Sequence, residues 1–301
     1  MDGSVASPRP MLALGVRLLT ALTLATMGAL LKLAEQRGAH LLELIFWRQA
    51  LTVLLVGGFL LLIGKIATVK TQRLSAHIRR AVYGITGMVF VYGAIVLLPL
   101  AEATTLSFTT PMWAVILSMV LFREKIGFYR GAAIALGFAG VLIVMQPGGD
   151  MLNPAGTVVG LIAAFLVALI SIQIQDLNTT ESPWAIVFWF TALTAPLAAL
   201  AMPFVASAHD QTTWLIILAM ALCGATAQML LTTSLRFGSA ATIIIMDYTS
   251  LIWATLFGYF IFERVPPATL AIGAPLIIAS GLLVAWRQRV LSKQTPAPTE
   301  A

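Results

Sequence analysis

Apolar residues run along this chain in long blocks with few polar interruptions, and the blocks are similar in length. Ten of them stand between charged or turn-forming clusters: 12–33, 41–63, 82–98, 104–122, 127–145, 157–174, 184–205, 214–235, 240–262 and 269–286. A helix rises 1.5 Å per residue, so about 20 residues cross a hydrocarbon core of roughly 30 Å. Backbone amides in lipid must be paired within the segment or within a closed barrel. Barrel strands would be half as long and would alternate polar with apolar, which these blocks do not do. The pattern therefore predicts helices. The connections between them are short and turn-rich, as in Pro147-Gly148-Gly149-Asp150 and Asn178-Thr179-Thr180-Glu181-Ser182-Pro183.

The pattern is also repeated. Phe46-Trp47-Arg48-Gln49-Ala50-Leu51 returns as Phe188-Trp189-Phe190-Thr191-Ala192-Leu193, 142 positions later. Trp113-Ala114 returns as Trp253-Ala254, with Thr109 matching Thr249 and Phe122 matching Phe262, each 140 positions later. Ten helices in two copies make five per copy, and five is odd, so the second copy must enter the membrane upside down. The expected fold class is all-α integral membrane, with ten transmembrane helices in two inverted five-helix repeats. The expected division is a terminus 1–11, a first repeat 12–146, a connection 147–156, a second repeat 157–286 and a tail 287–301. Inverted halves supply two nearly equivalent conformations, the physical basis of alternating access around a midplane site.

Composition agrees. The chain is 59% hydrophobic and 10% charged, with a mean hydropathy of +0.95, far from the range of soluble domains. With the N-terminus inside, fourteen basic residues fall in inside segments, among them Arg9, Arg17, Arg79 and Arg80, against Lys32, Arg37 and Arg264 outside. The positive-inside rule then places both termini in the cytoplasm. The net charge of +6 is explained by anionic headgroups, without a nucleic-acid partner. The first block is longer than a signal-peptide core and is expected to be retained as a helix. Cys223 is the only cysteine, so no intramolecular disulfide forms. His40, His77 and His209 fall in or beside connections, so no metal site or catalytic base is expected in the membrane. Neither a nucleophile elbow nor a Walker lysine loop is present. An enzyme and an ATP-driven pump are thereby excluded, and neither metal nor cofactor is expected.

Charged groups inside apolar helices are costly and mark function. Asp247 follows Ile243-Ile244-Ile245-Met246 with no basic residue near it in sequence, and its face continues through Ser250. It is expected to hold a cationic group or a coupling proton. Arg48 in the second block suits a carboxylate or phosphate by bidentate hydrogen bonding. Its structural alternative is a pair with Glu43 or with another helix's carbonyls. Glu43 is a mouth candidate, whereas Glu102 is expected to be a hydrated helix-end acid. Gln228, Tyr248, Ser107 and Thr110 add polar groups. Trp47, Trp113 and Trp253, with Trp189, form repeat-related pairs able to face a planar moiety. Pro111 is the expected hinge.

The chain resembles the drug/metabolite transporter superfamily, in its ten-helix branch of paired EamA domains. The carriers are Arg48, the Pro111 helix ending in Phe122-Arg123-Glu124, the ninth helix ending in Phe262-Glu263, and Gly131, Gly137, Gly140, Gly273 and Gly281. Two departures are Arg123 and Phe262, where the family often has glycine before the glutamate. A third is Leu251, where a second proline would stand, so the second copy is expected to be less kinked. The resemblance implies an inner-membrane secondary transporter. Its partners would be a small organic molecule, a coupling proton and the bilayer. Asp247 and Arg48 together suit a zwitterion such as an amino acid or its derivative. The tryptophans keep a planar vitamin or drug as the alternative, and a non-transporting sensor or scaffold is the rival from another class.

Overall fold

The computed structural model of the protein describes residues 10–122, 127–145, 153–237 and 247–294. All regular structure among them is helical. In chain order the helices are α1 (Pro10–Gln36), α2 (Leu41–Leu62), α3 (Leu74–Leu97), α4 (Leu100–Ser107), α5 (Thr110–Phe122) and α6 (Phe128–Met145). They continue as α7 (Pro154–Asn178), α8 (Pro183–Ala199), the single turn α9 (Met202–Val205), α10 (Gln211–Phe237), α11 (Ser250–Phe262) and α12 (Ala268–Gln294). Seven stretches are long and apolar enough to cross a membrane: Gly15–Gln36, Leu41–Leu62, Leu74–Leu97, Leu100–Leu121, Pro154–Asn178, Gln211–Leu231 and Ala268–Arg287. Three shorter apolar helices, Gly131–Met145, Pro183–Ala199 and Ser250–Phe262, stand among them.

Local chemistry sets the helix ends. The Asn153 and Ser182 side chains cap α7 and α8, each followed by proline in the first turn. Asp210 caps α10 by accepting from the Thr213 N–H and hydroxyl, which holds its carboxyl below the usual carboxylate range. Glu263 ends α11 in the left-handed conformation at φ 51°, and the Arg264 N–H closes the turn onto the Gly258 carbonyl at 3.0 Å.

The packing comes in matched sets. α1 lies on α10 and α3 on α7; α2 crosses α8; α6 crosses α12; α1 also meets α11, and α5 meets α7. Gly140 and Gly273 let α6 and α12 touch. A Cβ on Gly140 would lie 2.8 Å from the Gly273 carbonyl, and one on Gly273 would lie 2.7 Å from the Gly140 carbonyl.

Two expectations need correction. The charged clusters do not bound the helices. α3 begins at Leu74, not near 82, so His77 and Arg80 lie within it and are buried. Arg17 likewise lies within α1, not before it. Turns stand at equivalent places in the two copies: Phe108–Thr109 lies between α4 and α5, and Tyr248–Thr249 lies just before α11. Thr110 Oγ1 donates to the Ser107 carbonyl at 2.7 Å, and Ser250 Oγ donates to the Asp247 carbonyl at 2.6 Å. The hydroxyl bond recurs at the turn where Leu251 replaces proline.

Candidate functional site

The two turns meet. Phe108 and Tyr248, equivalent positions 140 apart, pack edge to face with ring centroids 4.8 Å apart. The Tyr248 hydroxyl is buried without a partner and stands where a Cβ on Gly281 would go, beside Pro111. Tyr248 and Pro111 are thus brought together. The hydroxyls of Ser107, Thr110 and Ser250 are instead spent on backbone carbonyls at their own turns.

Asp247 is not open. Arg17 donates to both its oxygens, Nε to Oδ1 at 2.5 Å and Nη2 to Oδ2 at 2.6 Å. The fork-to-fork geometry is the strongest an Arg–carboxylate pair offers. It ties α1 to the start of α11.

Arg48 is 8% exposed. Its Nη1 reaches Met88 Sδ at 3.3 Å and its Nη2 lies 3.5 Å from Gln228 Oε1, while its Nε has no partner. Arg48 and Gln228 are therefore brought together from α2 and α10. The structural pair with Glu43 does not form. Glu43, 1% exposed, is held by His209 Nε2 at 3.1 Å from each carboxylate oxygen. His209 in turn packs on Trp214, and Trp214 on Trp47. This cluster at one end of the bundle uses a histidine that the sequence placed in a loop.

Trp47 and Trp189 pack in different surroundings. Trp189 donates to the Val69 carbonyl at 2.7 Å, far from the role expected of a partner to Trp47. Trp113 packs edge on against Phe138 and Phe165. The indole N–H groups of Trp47, Trp113 and Trp253 are all buried without an acceptor.

Two groups lie differently from the sequence expectation. Glu102 is a buried acid, 3% exposed, with Oε2 unpartnered. It borders a cavity of about 140 Å³ with Pro99, Gly258 and Arg264. Nearby, Lys32 donates to the Ile95 carbonyl at 2.9 Å and to that of Leu98, neutralising the carbonyl end of α3. Arg80, 5% exposed, places its guanidinium carbon 4.2 Å from the Phe190 ring centroid. Its periodicity on α3, three residues after His77 and four before Gly84, was the available signal; the neighbouring charges concealed it.

The family profile described as the EamA-like transporter family matches residues 11–146 and again 154–286. The chain belongs to that family, as its sequence resemblance implied, and is a multi-pass membrane protein of transporter type. It is 28% identical over 244 residues to a riboflavin transporter of Vibrio cholerae, covering 80% of this chain and 81% of that one. It is 27% identical over 264 residues to a pseudopaline exporter of Pseudomonas aeruginosa, covering 87% and 92%. It is 27% identical over 255 residues to an S-adenosylmethionine uptake transporter of Rickettsia conorii, covering 83% and 84%. A solved crystal structure shares the fold, with a TM-score of 0.60 at 19% identity over 93% of this chain and 99% of that one.

Proposed function

We propose that this chain is a ten-crossing secondary transporter of the inner membrane, with both termini cytoplasmic. Its two inverted halves, 12–146 and 157–286, alternate access to a site between them. The twofold family match and the matched packing of α1 on α10 with α3 on α7 support that division. The meeting of the equivalent turns at Phe108 and Tyr248 supports a site near the midplane, where interrupted helices form such sites.

The cargo is a planar organic molecule rich in hydrogen-bond acceptors, of the vitamin kind carried by the riboflavin transporter relative. The observation that carries this reading is that the repeat-related Trp113 and Trp253 each bury an indole N–H with no acceptor. A heteroaromatic ring offers stacking faces and in-plane acceptors to such a pair. The amino-acid cargo loses its support, because Arg17 occupies both oxygens of the carboxylate that was to hold the ammonium.

Uptake of radiolabelled riboflavin, S-adenosylmethionine and a mixture of amino acids into proteoliposomes tests the reading. Riboflavin is expected to accumulate. W113F and W253F should each raise KM by about two- to tenfold, the worth of one hydrogen bond. Transport of amino acids without riboflavin would overturn the planar cargo.

A further inference from the structure

Arg48 and Arg80 come from different helices, and both guanidinium groups lie along one face of α3. Arg80 Nη1 occupies the space beside Gly84, where a Cβ would collide with it. Arg48 Nη1 lies against Met88, one turn further along, and Tyr92 follows after another turn. One helical turn is about 5.4 Å, and the two like charges act on each other.

Neither is paired with a carboxylate among the described residues. Arg48 Nε and Arg80 Nε and Nη1 are buried donors with no acceptor. Phe190 takes up part of the Arg80 charge through its ring face, but a ring face does not satisfy the guanidinium's edge N–H groups. Two buried like charges with three unpartnered donors are costly, and an anion between them would offset that cost.

The surroundings are built around both groups. A Cβ on Gly224 would lie 2.5 Å from Arg48 Nε, so α10 clears room for Arg48 as Gly84 clears room for Arg80. Gly84 and Gly224 are 140 positions apart, as are Met88 and Gln228, which Arg48 Nη1 and Nη2 reach. Phe190 is itself the repeat counterpart of Arg48. The cations thus stand where equivalent positions of the two copies face each other.

We propose that Arg48 and Arg80 form an oxyanion subsite that receives a carboxylate, phosphate or sulfate group. The planar-cargo reading bears only on the source of that group: it is carried on the cargo, or it is a separate inorganic anion bound with it.

The test is equilibrium dialysis of the detergent-purified full chain against radiolabelled sulfate, riboflavin and riboflavin 5′-phosphate. The variants are R48Q, R80Q, R48K, R80K and R73Q. Sulfate should bind, and R48Q and R80Q should each weaken it by about tenfold or more, the worth of a charged hydrogen bond. R73Q should leave it unchanged, because Arg73 pairs with Asp176 at 2.6 Å at an exposed helix end. The lysine variants keep the charge and lose the fork, so they still weaken sulfate binding if the glutamine variants fail to fold.

Riboflavin 5′-phosphate binding tighter than riboflavin, with the difference lost in the arginine variants, places the anion on the cargo. Equal flavin affinities beside arginine-dependent sulfate binding make it a separate ion. Sulfate binding without any flavin binding sustains the subsite and removes the flavin-like cargo. If sulfate and the flavin phosphate do not bind, or bind all folded variants alike, the subsite is overturned even where riboflavin itself binds.

Discussion

A carboxylate in an apolar helix is stable only when something holds its charge, and for Asp247 the holder is Arg17, 230 positions away. The sequence exposed the cost of Asp247 but not its partner, because hydrophobic patterning carries no record of long-range contacts. Arg17 was assigned to the aqueous side with the other terminal charges, although it sits in α1 and its side chain is only 12% exposed. The same limit hid Arg80 and the Glu43–His209 pair. In each case a charged residue near a predicted boundary turned out to lie inside the bundle. If the pair is an energetic unit, R17Q and D247N should each lower the thermal midpoint, and the double variant should cost less than their sum. A coupling of about 0.5–3 kcal/mol is expected for residues in direct contact. Strict additivity in the double-mutant cycle would mean that the bidentate geometry contributes nothing to stability.

Element positions were mostly legible from apolar blocks, since the seven long spans and three shorter helices overlap the ten predicted segments. Boundaries were not, because helices such as α3 extend two turns beyond the predicted apolar block into sequence that mixes charged and apolar residues. The turn before α11 was not legible from proline alone, because what the two copies share there is a hydroxyl pair, Thr109-Thr110 and Thr249-Ser250. Thr110 and Ser250 each donate to the carbonyl three residues back. A proline is compatible with the first turn of a helix, where its missing N–H is not needed. P111L is therefore expected to fold with stability within about 1 kcal/mol of the parent, whereas L251P, which loses the Leu251 N–H bond to the Tyr248 carbonyl, and T110V, which loses its hydroxyl bond, should each cost about 0.5–1.5 kcal/mol. Thermal unfolding followed by intrinsic fluorescence separates these cases. A severe loss in P111L beside a silent T110V would return the turn to proline.

At the scale of the whole molecule, the connections sort into two groups. The 66–73 segment binds the 176–182 segment: Arg73 pairs with Asp176, Thr71 donates to Glu181 at 2.5 Å, and Ser182 donates to the Thr68 carbonyl. At another corner Arg37 approaches Asp210 at 3.9 Å and His209 holds Glu43. In repeat terms, the loop between the first two helices of one copy packs against the loop between the second and third helices of the other. Parallel copies would put the 66–73 loop and its counterpart near 206–210 on one side, and inverted copies put them on opposite sides. Single cysteines decide between the two. In a C223S background, R37C and A208C should react with a membrane-impermeant maleimide on intact cells. T68C and T179C should react only after the membrane is opened. All four positions are exposed, so a failure to label reflects sidedness and not burial. Labelling of T68C and A208C from the same side would defeat the inverted arrangement, and with it the symmetry argument that places Arg48 and Phe108 near a shared centre. Labelling as expected would leave a bundle whose two ends exchange roles when its halves rock, with both arginines of α2 and α3 between them.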